Sequence, residues 1–287
     1  MFLLIGGNSE IGAATARRLR ARGERLITTT RRAVHLAADE AFLDLDRLPD
    51  DWRPPAGVTA ACVFAAIARL AACEADPTGS HRVNVTRTLA LAEKLMAEGV
   101  YTLFLSTNQV FDGTRPHIPA DAPHSPVSAY GRQKAAAEAT FKRWIGEGAA
   151  VGILRLAKVV SPQMALLRGW RRSLTAGEPI QAFADMRMAP TPIALVAEAI
   201  GRMLEDRSPV VAQLTGPEDV SYAETARFIA EEVGANGDLV QEGRAVDNGM
   251  PKGAVPLHTT LDSSYLAERY SLETPGPWIV LRAIVGS

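Results

Sequence analysis

Tyr130-Gly-Arg-Gln-Lys134 sets a phenol and an ammonium four residues apart, on one face of any helix that carries them. A free tyrosine has a pKa near about 10, too high for ready proton exchange at neutrality. A neighbouring ammonium favours the phenolate and lowers that value, so the pair is a way to build a proton donor. Upstream lies Ser106-Thr107-Asn108-Gln109-Val110-Phe111-Asp112-Gly113. Thr107, at the end of an apolar stretch, supplies a hydroxyl that can hold the same carbonyl oxygen. At the N-terminus Phe2-Leu3-Leu4-Ile5 runs straight into Gly6-Gly7-Asn8-Ser9-Glu10-Ile11-Gly12. A strand, a glycine loop and a helix start let backbone approach a pyrophosphate, with free N–H groups aimed at it. In this order the three features suggest hydride transfer between a nicotinamide and a ketone.

Each motif alone has a plainer reading. The glycine loop has Ser9 in its middle glycine place, so a side chain stands where bare backbone is usual. Ser9 can still offer a hydroxyl to phosphate, and a tight strand–helix turn without ligand is the alternative. Thr28-Thr29-Thr30-Arg31-Arg32 closes the second strand. An acid there binds a ribose 2′-hydroxyl, whereas Arg31 and Arg32 suit a 2′-phosphate, which favours NADPH and leaves NADH open. A solvated arginine pair is the plain reading. Asp44 faces either an adenine amino group or solvent. Tyr-x-x-x-Lys arises often by chance and gains its weight from the other two motifs.

The elements that must position these residues follow from periodicity. Strands are predicted over 2–6, 25–30, 41–45, 58–66, 100–106 and 150–160. Helices are predicted over 10–22, 83–97 and 128–144, with Gly23 and Gly99 as stops. This alternation implies an α/β fold, a Rossmann-type doubly wound parallel sheet with helices on both faces. After Ser161 the segments shorten and prolines become denser. Helices are expected over 166–176, 191–205 and 222–233, the last with Ser221 and Glu224 as a capping box. Residues 237–256 read as loop. Residues 1–160 form the dinucleotide-binding domain in this reading. Residues 161–287 are a smaller substrate-binding lobe, with about 191–214 returning to the main domain.

The chain has 287 residues, 47% apolar and 22% charged, with 31 basic and 32 acidic side chains and a net charge of −1. That balance argues against a nucleic-acid or membrane surface built on bulk charge. Cys62 and Cys73 are the two cysteines and read as small core residues rather than a disulfide. The five histidines show no metal-ligand spacing, and no metal is expected. A strand begins within a residue or two of Met1 and no apolar run spans a bilayer, so a cytoplasmic protein without signal peptide is expected.

The residues now resemble an extended short-chain dehydrogenase/reductase, within it the dTDP-4-dehydrorhamnose reductase (NAD-dependent epimerase/dehydratase) family. The resemblance is carried by the Ser106–Gly113 run; Ala65-Ala66 with Glu74 and Pro77; Val83-Asn84-Val85; Ala129–Lys134; Ile153-Leu154-Arg155; and Ala189-Pro190-Thr191. It implies an NAD(P)H-dependent oxidoreductase acting on a keto group of a nucleotide-linked sugar. Tyr130 would be the general acid, Lys134 would bind the nicotinamide ribose and tune Tyr130, and Thr107 would orient the carbonyl. Gly6, Ser9, Glu10, Ile11 and Gly12 would line the pyrophosphate site, Asp44 and Leu45 would flank the adenine, and Ala65, Ala66, Ile67 and Leu105 would border the nicotinamide. Asn108 and Lys158 fall where family members touch substrate. Helices such as 83–97 and 128–144 often pair in this superfamily, which makes a homodimer possible and leaves the oligomeric state open.

Departures bear on substrate. The family usually shows Asp-Tyr at Asn108-Gln109 and an asparagine at Ser128; an expected arginine-proline pair is replaced within Val255-Pro256-Leu257-His258. The implied outcome is the same chemistry on a different or modified sugar. Two other readings stay open: an NAD-dependent sugar-nucleotide epimerase or dehydratase, and a non-catalytic nucleotide-binding regulatory homologue.

Overall fold

The computed structural model describes residues 1–32, 35–250 and 255–286. Its first half lays down β1 (Phe2–Ile5), α1 (Glu10–Ala21), β2 (Leu26–Thr30), β3 (Glu40–Phe42) and β4 (Ala60–Val63). There follow α2 (Leu70–Ala75), α3 (Pro77–His81), a π-helical turn over Arg82–Arg87, α4 (Thr88–Ala97), β5 (Tyr101–Thr107), α5 (Ala129–Gly146) and β6 (Val151–Leu156). The remainder holds β7 (Val159–Val160), α6 (Ala165–Thr175), β8 (Ile180–Phe183), β9 (Arg187–Met188), β10 (Thr191–Pro192), α7 (Ile193–Asp206) and β11 (Val211–Leu214). It ends with β12 (Val220–Ser221), α8 (Tyr222–Glu232), β13 (Val240–Gly243), α9 (Ser264–Tyr270) and α10 (Pro277–Val285).

Seven strands form one parallel sheet in the order β11-β6-β5-β4-β1-β2-β3. Every residue of β1, β4, β5 and β6 is buried. Covered on both faces, such strands read as near-continuous apolar runs, which is why they were legible. One face packs on Leu19 of α1 and Ala199, Ile200 and Met203 of α7. The other packs on Leu91 and Leu95 of α4 and Phe141 and Trp144 of α5. A separate core, with Trp170 of α6, Met188 of β9, Ile229 of α8 and Leu281 of α10, builds the remaining lobe.

Several boundaries differ from the sequence reading, each for a physical reason. The third strand stops at Phe42 because Asp44 Oδ1 accepts from Asp46 N at 3.2 Å and turns the chain into a 3-10 turn, Leu45–Arg47. The helix expected over 83–97 opens as the π turn, with Thr88 Oγ1 donating to Val83 O at 3.0 Å. The strand expected over 150–160 breaks at Ala157-Lys158, and β7 pairs instead with β10. That pairing claims Thr191-Pro192, so α7 begins at Ile193. Within 237–256, read as loop, β13 runs parallel to β8 and only Val240 of it is buried; residues 251–254 lie outside the described residues. The capping box on α8 forms as expected.

Among the described residues no helix is long and apolar enough to cross a membrane, and no His/Cys/Asp/Glu group is placed to hold a metal. Both cysteines are free and buried.

Candidate active site

A cleft runs along the carboxyl ends of the sheet strands in three contiguous cavities of about 330, 380 and 330 Å3. Ser9, Phe64 and Ala66 line both the first and the second; Ala68, Thr107 and Ala157 line both the second and the third. This is where open α/β sheets bind ligands, because the loops that reverse the strand order diverge there.

The first cavity gathers Gly6, Ser9, Arg31, Asp44, Leu45, Ala65, Ala66 and Ile67. Gly6 adopts φ +78°, and a Cβ there would lie 2.9 Å from Ala65 N, so the loop holds a cradle only glycine leaves open. Ser9 caps α1, its Oγ accepting from Gly12 N at 3.1 Å. That bond uses one of the N–H groups a pyrophosphate would otherwise meet and leaves the Ser9 hydroxyl proton to donate. Glu10 bonds Ser161, tying the loop to the start of the small lobe. Arg31 lines this cavity; Arg32 does not, and its N–H donates to Thr30 Oγ1 at 3.1 Å. Gly12 lies behind the loop rather than on the cavity wall.

The middle cavity brings together Ser9, Glu10, Ile11, Leu105, Thr107, Tyr130 and Lys134. Two polar contacts place α5 there. Ser128 caps it, accepting from Gly131 N at 3.0 Å, and Glu74 Oε1 accepts from Ala129 N at 2.6 Å. Gly131 permits the helix to close on the turn after β5, since a Cβ there would overlap Gln109 O. Lys134 is 4% exposed. Its ammonium donates to Leu105 O at 2.7 Å and sits 4.3 Å from the Phe104 ring centroid and 6.0 Å from that of Tyr130. Burial pulls it down to about 8, against a smaller upward pull from Glu138. Burial also pushes the Tyr130 phenol up, with Cys73 adding to the rise. The sequence reading expected the ammonium to lower that phenol; in the folded chain burial raises it instead. Thr107 Oγ1 accepts from Gln109 N at 3.2 Å and donates to Asn108 Oδ1 at 3.3 Å.

The third cavity is lined by Thr107, Asn108 and Lys158, and by Arg187, Met188 and Tyr222 from the small lobe. Arg187 carried no sequence signal and Tyr222 only a weak one in Ser221-Tyr222; β9 pairing with β12 brings them here. Asn84 was also passed over as a site residue. The π turn points it inward, where Oδ1 accepts from Ile67 N at 2.8 Å and Nδ2 donates to Ile67 O at 2.9 Å. A buried amide between Val83 and Val85 was the available signal.

A family model described as the RmlD substrate binding domain matches residues 1–278. The chain belongs to that family. It resembles a curated dTDP-4-dehydrorhamnose reductase of Burkholderia thailandensis, with 35% identity over 138 residues, 46% of this chain and 42% of that relative. The chain thus matches less than half of that relative's length. Among solved structures, MoeE5 in complex with UDP-glucuronic acid and NAD gives a TM-score of 0.83 at 22% identity, covering 99% of this chain and 97% of that one. A dTDP-4-dehydrorhamnose reductase of Clostridium acetobutylicum gives 0.80 at 18%, covering 99% and 98%. At these identities what is shared is the fold. Ser128 Oγ donates to Gln109 Oε1 at 3.1 Å, so these two side chains are each other's partner.

Proposed function

We propose that this RmlD-family protein reduces a keto group on a nucleotide-linked sugar, using NADPH as a dissociable cofactor. The observation that carries the reading is the order along one cleft. A glycine cradle with Arg31 stands at one end, Tyr130, Lys134 and Thr107 in the middle, and Lys158 with Arg187 at the other. The cradle at Gly6 fits a pyrophosphate, and Thr30-Arg31 at the end of β2 offers hydroxyl and guanidinium where an acid would select an unphosphorylated ribose. NADPH, when bound, supplies the hydride. Tyr130, protonated at neutrality because burial raises it, gives its phenolic proton to the carbonyl oxygen as charge develops there. Lys134, at about 8, keeps most of its ammonium at neutral pH and stabilises the phenolate left behind. Thr107 turns its hydroxyl from Asn108 to that same oxygen and holds it. Lys158 and Arg187 offer two positive charges to a substrate diphosphate.

The departures at Asn108, Gln109 and Ser128 support a sugar other than, or modified from, 4-dehydrorhamnose. The test is a paired titration with NADPH and NADH, followed by NADPH oxidation against a panel of 4-keto sugar nucleotides. Tighter NADPH binding, weakened about tenfold when Arg31 and Arg32 both become alanine, is expected for a charge-assisted phosphate contact. NAD retained through purification overturns the dissociable-cofactor reading in favour of an epimerase or dehydratase. Turnover of dTDP-4-dehydrorhamnose at ordinary family rates overturns the altered-sugar part.

A further inference from the structure

Gln133 stands beside Lys134 in the chain, three residues after Tyr130, and is 4% exposed. Its amide has partners that leave it one orientation. Nε2 donates to Ser80 Oγ at 2.7 Å and to Pro77 O at 3.3 Å. A carbonyl only accepts, so the amino group must face Pro77 and the amide oxygen must face away. That oxygen accepts from Asn84 Nδ2 at 2.8 Å. From the other end, Ile67 N–H only donates, so it fixes Asn84 Oδ1 towards itself and Nδ2 towards Gln133. Both ends of the chain of bonds assign the two amides alike. Asn84 is 1% exposed and Ser80 2%, so water does not compete for the bonds that join each of them to Gln133.

We propose that Gln133 is a positioning residue for proton transfer. Through Asn84 it sets the rotation of α5, and with it the Tyr130 face, against the Ala65–Ile67 loop that lines the dinucleotide half of the cleft. The proposal rests on the reductase reading for its consequence and on the bonds alone for its existence. An apolar residue at 133 leaves Asn84 Nδ2, Ser80 Oγ and Pro77 O each short of a buried partner, and the cheapest relief is a small turn of α5 or a slackened loop. Displacing a proton donor by an ångström costs about a hundredfold in rate.

Two variants test it, Gln133→Met and Gln133→Glu. In Gln133→Met, amide exchange across residues 64–69 accelerates by about tenfold or more while β1 keeps its protection. NADPH affinity stays within about threefold, and kcat falls by about a hundredfold. In Gln133→Glu a carboxylate has no proton for Pro77 O, whereas the carboxylic acid has one. Its kcat, taken relative to wild type at each pH, therefore recovers as pH falls toward about 6, where a buried carboxyl regains its proton. Lys134, Tyr130, Cys73, Glu74, Asp76 and His81 are the titratable groups on the elements around Gln133 and are common to all three proteins, so the ratio removes them. Unchanged exchange at 64–69, or no recovery of the Glu variant in acid, overturns the proposal. If the wild-type protein binds no nicotinamide cofactor, the reductase reading falls, and exchange then decides the relay by itself: faster exchange upholds it and unchanged exchange overturns it.

Discussion

Two cations lie inside this molecule one helical turn apart in their partners, and they are kept in opposite ways. Arg155 of β6 is fully buried with every side of its guanidinium engaged. Nε and Nη2 reach Glu138, Nη1 reaches Ala120 O at 3.0 Å and Gln213 Oε1 at 2.9 Å, and the plane stacks 5.0 Å from the Phe111 ring centroid. Burial alone would raise the Glu138 carboxyl, but hydrogen bonds from His124 and Arg155 more than offset it and hold it at about 2. Gln213 extends the hub by donating to Ile118 O and Asp262 O, so it clamps two loops that reach the third cavity. Lys134 is one turn before Glu138 on α5, yet the acid is taken. Its ammonium has one carbonyl and the edge of the aromatic cluster, and it loses much of its hold on its proton. The satisfied cation builds the scaffold. The undersatisfied one lines the cleft, which is where perturbed groups do chemistry.

That contrast can be broken from either side. The largest effect is expected from Tyr130→Phe, which removes the proposed proton donor and lowers kcat by about 10²- to 10⁴-fold with the thermal midpoint little changed. NADPH oxidation and a melting curve together check it; a large loss of stability would show the phenol to be structural. Next comes Glu138→Gln. Leaving Arg155 buried without its carboxylate costs about 3–5 kcal/mol of stability, read from denaturant midpoints.

Lys134→Met sharpens the comparison through pH. The folded value is about 8 against an ordinary 10.5, so between those values the unfolded chain holds the proton and the folded chain does not. Stability therefore rises with pH across that window, and the Met variant lacks the rise while being at least as stable as wild type at neutrality. Unfolding measured at neutral and alkaline pH distinguishes the two slopes. The smallest effect is Gly131→Ala, whose Cβ overlaps Gln109 O and costs about 1–3 kcal/mol unless α5 shifts. A shift should show as a fall in kcat larger than the fall in stability.

Much of the frame was legible because its causes are local. Strands β1, β4, β5 and β6 are apolar on both faces, and α8 carries its own capping box. The glycine loop, Thr107, Tyr130 and Lys134 stood out by type and spacing, and the folded chain sets most of them on one cleft. Strands β10 and β13 escaped because each pairs with a segment distant in the chain, and β7, inside the stretch read as one strand over 150–160, leaves the main sheet for the same reason. The π turn escaped because its bonds, Thr88 to Val83 within the turn and Asn84 to Ile67 across the fold, leave no mark on the apolar periodicity.

By itself the amino-acid sequence determined the alternation of elements and the types and spacing of the candidate site residues, since periodicity, caps and side-chain chemistry act over a few residues. Tertiary structure alone decided which buried cation is paired. It buried Lys134 and Arg155 alike and placed the Glu138 carboxylate on Arg155, and desolvation and pairing depend on neighbours that the chain order does not reveal.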